Sequence, residues 1–97
     1  MTFDFFKSSL SSPQPPHGVA GLLEALWYDA NDNWDKAHSI AQEIDSRNGA
    51  WVHAYLHRRE GDHGNAAYWY HRAGKPVSRA SLGDEWESIV KVLLTAK

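Results

Sequence analysis

With 97 residues, the chain is long enough for one compact core and too short for two. Hydrophobic residues make up 42 % of it, including five Trp, four Tyr and three Phe, a balance that excludes a disordered chain, and the lack of cysteine excludes disulfides and thiolate metal sites. The net charge of −2 excludes a generally basic nucleic-acid binder but hides an asymmetry. Residues 20–46 carry Glu24, Asp29, Asp32, Asp35, Glu43 and Asp45 against Lys36 alone. Residues 47–79 carry Arg47, Arg58, Arg59, Arg72, Lys75 and Arg79 against Glu60 and Asp62. Such halves can attract copies of the chain head to tail, although solvated helix faces give the same pattern more often.

Residues 1–17 read as an extended arm. Three prolines in Ser8-Ser9-Leu10-Ser11-Ser12-Pro13-Gln14-Pro15-Pro16-His17 favour extended backbone over helix. The start of the arm, with Phe3, Phe5 and Phe6, is too apolar to lie in water without cost and is expected to fold back on the domain or on a second copy. It has an acid, Asp4, inside its apolar cluster and so does not resemble a secretory leader; no apolar run approaches the roughly 20 residues of a membrane span. A cytoplasmic location follows as the expectation.

Residues 18–97 are predicted to form a single helical domain. Val19, Leu22, Leu23, Leu26 and Trp27 recur at helical spacing from Gly18 to about Ala30, ending in the turn Asn31-Asp32-Asn33. Asp32 or Asn33 then caps a second helix, on which Trp34, Ala37, Ile40, Ala41 and Ile44 share an arc of roughly 120°. Ser46-Arg47-Asn48-Gly49 reads as a break. A third helix over Ala50 to Glu60 is apolar over more than half its circumference and should be the most enclosed. Gly61-Asp62-His63-Gly64 forms a turn, Asn65 to Ala73 a fourth helix closed by Gly74 and Pro76, and Ser81 caps an amphipathic closing helix bearing Trp86, Ile89, Val90, Leu93 and Leu94.

A shift of 29 residues places Ala25, Tyr28, Trp34 and Ala37 on Ala54, His57, His63 and Ala66, and Ile40, Ala41 and Ile44 on Trp69, Tyr70 and Ala73. The two segments Asp32-Asn33-Trp34-Asp35-Lys36-Ala37 and Gly61-Asp62-His63-Gly64-Asn65-Ala66 resemble the turn of a tetratricopeptide-type repeat, with Ala25 and Ala54 at the small position of each first helix and Tyr28 at the later aromatic one. The resemblance covers residues 18–76 and extends to small bacterial proteins of this type. It departs from the family in its 29-residue offset, in the missing proline after the first hairpin, and in His57 where an aromatic is usual. It implies an all-α fold of two stacked antiparallel hairpins and a closing helix in a right-handed superhelix, and it implies a concave surface for peptides. On that surface Trp51, Tyr55 and Arg58 are the candidate binding residues, unless the closing helix or the arm covers them.

Other chemistry is thinly supported. His53 and His57 stand one turn apart with Glu60 three further on, a spacing that lets two imidazoles and a carboxylate face one ion. The metalloprotease pattern is broken by Ala54, and packing between helices is the favoured role of these histidines. No Ser or Thr lies on a glycine-flanked elbow, and there is no phosphate-binding glycine loop. Tyr68-Trp69-Tyr70-His71-Arg72, with Arg58 and Arg59, could stack on bases, but the spacing of Ala66, Trp69, Tyr70 and Ala73 marks a core face instead. The sequence therefore points to a non-catalytic protein-interaction or adaptor module without cofactor or metal. Its expected partner is a protein or peptide, with self-association through the charge halves as a further route; nucleic acid and membrane are not expected partners. The alternative is a small-ligand or metal-binding protein, with an enzyme included in that class, using a His/Trp/Arg cluster around the third helix. An exposed Trp51–Tyr55 stripe favours the first reading; a polar site holding two or more histidine nitrogens favours the second.

Overall fold

A computed structural model describes residues 1–95; the last two residues of the expected domain lie outside that range. Six helices are present among the described residues: α1 (Phe3–Ser8), α2 (Leu22–Ala30), α3 (Trp34–Gln42), α4 (Arg47–Arg59), α5 (His63–Ala73) and α6 (Leu82–Thr95). None of them is long and apolar enough to cross a membrane.

Short turns join α2 to α3 and α4 to α5, and each pair packs as a hairpin, with α3 lying on α4 between them. The turns are built alike. Asn33 accepts the Lys36 N–H at 3.3 Å to cap α3, and Asp62 accepts the Asn65 N–H at 3.2 Å to cap α5, so a short polar side chain satisfies an otherwise orphaned helix-end donor in both. Ala25, Ala37, Ala54 and Ala66, all buried, keep side-chain volume small and let the helix backbones approach closely. Helix α4 is the centre: every residue from Gly49 to His57 is buried. Its apolar circumference therefore meets neighbours on all sides, as its composition requires.

The start of the N-terminal arm folds back on the domain as expected, but residues 3–11 do so as helical turns and not as extended backbone, which begins at Ser12. Thr2 accepts the Phe5 N–H at 3.1 Å, Asp4 lies in the positive first turn, and a 3-10 turn at Ser9–Ser11 continues α1. Phe3 and Phe6, three apart, share a face that packs on Trp86 of α6 with ring centroids 6.0 Å away in each case, and Phe6 is fully buried. Trp27 fixes the turn from the other side by donating to the Ser9 hydroxyl at 3.2 Å.

Helix boundaries also differ from the sequence expectation; His63 and Gly64, expected in a turn, are the first residues of α5. Helix α2 starts at Leu22 because Gly18 and Gly21 have φ of 88° and 64°, outside helical backbone. Helix α3 ends at Gln42, which leaves Ile44 in the connection. Ser46-Arg47-Asn48-Gly49 is no break: Ser46 caps α4 by accepting the Gly49 N–H at 2.9 Å, and the other three residues form its first turn.

Trp34, expected in the core, is only partly buried, but its indole N–H reaches the Leu56 carbonyl at 2.7 Å and so ties α3 to α4. We expect Trp34→Ala to cost about 2 kcal/mol in urea denaturation, from lost burial and a lost interhelical bond. A loss under about 0.5 kcal/mol, the ordinary range for a surface substitution, would place the ring outside the packing.

Candidate metal centre

Three histidines converge where α3 crosses α4. His53 and His57, one turn apart on α4, have rings 4.8 Å apart and inclined by 22°; His38 of α3 meets them edge-on, at 4.7 Å from His53 and 5.2 Å from His57. The Nε2 atoms of His38 and His53 are 2.9 Å apart, a hydrogen bond in which one ring donates. One nitrogen from each of the three rings lies within 4.8 Å of the others. Nitrogens on a tetrahedral ion with bonds of about 2.0–2.1 Å stand about 3.3 Å apart, so an ion would replace the His38–His53 hydrogen bond and draw together three nitrogens already within 4.8 Å.

The surroundings hold the rings in this arrangement. Trp34 stacks on His38 at 4.8 Å with a 10° tilt, and Trp69 of α5 stacks on His53 at 4.0 Å with a 16° tilt. The Glu60 carboxylate meets His57 Nδ1 at 2.6 Å, so the Nε2 edge of His57 is the one left for the cluster. A carboxylate behind a ligating imidazole is the usual outer partner of a metal-bound histidine: it fixes the ring and raises its basicity. Burial, with the neighbouring His38 and His57 adding to it, pushes the His53 pKa down to about 4; burial and His57 also lower that of His38. Both rings are thus neutral at pH 7, the form with a lone pair to give to an ion.

The residues present fit a metal, in a set that differs from the alternative His53, His57 and Glu60 that the sequence offers. His53 and His57 are in it; Glu60 is not a cluster ligand but the partner of His57, and the third imidazole is His38. A signal for His38 exists in the sequence. It stands four residues after Trp34 and three before Ala41, on the same helical face as those packing positions, where a polar ring needs a reason. A second group, His57, Glu60 and Asp62, also brings its atoms within 4.8 Å, but both acids are exposed, and Asp62 is occupied in capping α5.

Trp51, Tyr55 and Arg58, the expected binding stripe, lie together on α4, but α6 covers them. Trp51 and Tyr55 are 8 % and 3 % exposed, so the stripe is packed against its neighbours and is not an open face. Trp51 donates its indole N–H to the Glu85 carboxylate at 3.1 Å, and Arg58 reaches the same carboxylate at 2.7 Å and the Ala80 carbonyl. The neighbouring Arg59 bonds Asp29 at 2.7 Å and Asp32 at 2.8 Å, tying α4 to the end of α2. Burial raises the pKa of Asp29, against the pull of Arg59. Compared with family models, with curated proteins and with solved structures, the chain finds no match.

Proposed function

We propose that this protein binds a divalent transition-metal ion, zinc in the first instance, through His38, His53 and His57. The observation that carries the reading is the convergence of three imidazole nitrogens from two helices between two stacked tryptophans, with Glu60 behind one ring. Three imidazoles without a thiolate suit Zn(II), Co(II), Ni(II) or Cu(II) and disfavour Mg(II) or Ca(II), which take oxygen ligands. Three protein ligands also leave a tetrahedral ion one position for water or a ligand, the arrangement of sites that polarise a bound molecule. The adaptor reading has less support, because its candidate anchors Trp51 and Tyr55 are packed under α6.

In this reading the α2–α3 and α4–α5 hairpins form a tetratricopeptide-like stack in the right-handed sense, supported by the α3–α4 packing and by the matched caps at Asn33 and Asp62. The stack then serves as a scaffold, its hairpin junction carrying the site.

The test is zinc titration by calorimetry of untagged, chelator-stripped protein, with cobalt absorption as a second readout. One equivalent is expected. His38→Ala and His53→Ala should each weaken binding about 100-fold or more, and Glu60→Gln about 10-fold, the range found when an outer partner of a ligating imidazole is lost. No binding, or binding that survives both histidine substitutions, would overturn the proposal.

A further inference from the structure

Beside the cluster, on the side of the α4 N-terminus, lies a cavity of about 350 Å³, at the small end of the range of ligand sites. Its wall includes Ser46, Arg47 and Gly49 from the start of α4, His53 one turn further on, and Trp69 and Arg72 from α5. We infer that this cavity binds a small oxyanion, a phosphate or carboxylate group carried by a small molecule, between Arg47 and Arg72. The inference goes beyond the metal reading and shares with it only the ligand His53, through that ring's other nitrogen.

Three observations support it. First, two cations from different helices are brought to one place. The Arg47 guanidinium extends from the first turn of α4 to the end of α5, where a Cβ on Gly74 would meet its Nη1 at 3.9 Å, and Arg72 stands two residues before that glycine. Among the described residues neither Arg47 nor Arg72 has an ion pair; Arg72 meets the Tyr68 hydroxyl at 3.2 Å and lies over the Tyr68 and Trp69 rings at 6.0 and 5.3 Å. The one acid in the wall, Asp45, acts on Arg72, so the pair keeps a net positive charge. Guanidinium forks match the geometry of carboxylate and phosphate oxygens.

Second, His53 is only 6 % exposed and lines this cavity; its Nε2 is committed to His38, while its Nδ1 makes no hydrogen bond to the described residues. When Nε2 accepts from His38 or holds an ion, the proton sits on Nδ1, and that Nδ1–H supplies a donor that an anion in the cavity would satisfy. Third, α4 directs its N-terminal end, where the helix dipole is positive, toward the same space, adding to the field of the two arginines. The fixed walls, Gly49 packed on Ile44 and Trp69 stacked on His53, give the ligand a formed site.

The test is an amide NMR titration of the protein as purified, its zinc content measured alongside, with inorganic phosphate in one arm and acetate in the other, at ionic strength held constant with sodium chloride. Saturable shifts at Ser46, Gly49 and the Trp69 indole are expected, and the arm that saturates at lower concentration names the anionic group. In Arg47→Gln/Arg72→Gln the midpoint should rise at least 10-fold while the rest of the spectrum and the zinc affinity are kept. Shifts that never saturate, that spread over all basic residues, or that persist unchanged in the variant would overturn the inference. A protein without zinc that still shows the saturable shifts would separate this site from the metal proposal.

Discussion

Replacing Glu85 by alanine is expected to destabilise the protein by about 4 kcal/mol, the largest effect of any single polar substitution in it. Glu85 is 4 % exposed and sits at the start of α6, facing α4 and α5. Its carboxylate accepts from Trp51 at 3.1 Å, from Arg58 at 2.7 Å, and from the Tyr70 hydroxyl at 2.8 and 2.7 Å, so it joins three helices. Alanine leaves an indole N–H and a phenol without their acceptor, and leaves the Arg58 guanidinium only the Ala80 carbonyl. Each such orphan costs its own desolvation, which is why breaking a buried pair costs more than making it gains. Glu85→Gln keeps the shape and one acceptor oxygen and should cost about half as much. Urea denaturation of the two variants decides the matter: a loss below about 1 kcal/mol for Glu85→Ala would mean that α6 is held by its apolar face, Ile89 and Val90, alone.

Gly49→Ala is expected to cost about 3 kcal/mol, the reverse of what helix propensity dictates. In an open helical position the change from glycine to alanine stabilises by about 1 kcal/mol. At Gly49 the new Cβ would overlap the Ile44 carbonyl oxygen and stand 3.2 Å from the Ser46 hydroxyl. That carbonyl accepts the Ser46 N–H at 3.1 Å, and the Ser46 hydroxyl caps α4 through the Gly49 N–H, so neither can move without loosening the connection. Gly64, in the first turn of α5, has nothing within 4 Å of the position a methyl group would take, and Gly64→Ala should stabilise by about 1 kcal/mol. Thermal melts of the two variants must therefore move in opposite directions. A Gly49→Ala protein as stable as the parent would show that α4 can start elsewhere.

Gly49 also shows why part of the structure was legible in the sequence and part was not. Its neighbours Ser46 and Asn48 are turn-forming residues, and the run reads as a break because propensity reports only local backbone freedom. The reason for this glycine is the close approach of the Ile44 carbonyl, a tertiary contact with no local pattern. The helical core was legible for the opposite reason: Leu26, Trp27, Ala37, Ala41, Ile89 and Val90 announce their faces by spacing alone. The arm hid its helix behind serines and prolines, since the apolar face of Phe3 and Phe6 is justified only by Trp86, some eighty residues on. In the site, His53 and His57 were visible as a one-turn pair on α4. His38 became their partner only when α3 folded across α4, and the burial of Trp51 and Tyr55 depended on where α6 came to rest.

Whether the three histidines hold an ion is decided by the anomalous scattering of a crystal grown with one equivalent of zinc, recorded at the zinc edge. One strong peak is expected between α3 and α4, with nitrogens of His38, His53 and His57 each at about 2.0–2.1 Å and Glu60 still on the far side of His57. A peak at His57, Glu60 and Asp62 on the surface, or no peak at the three-histidine cluster, would refute the proposed centre.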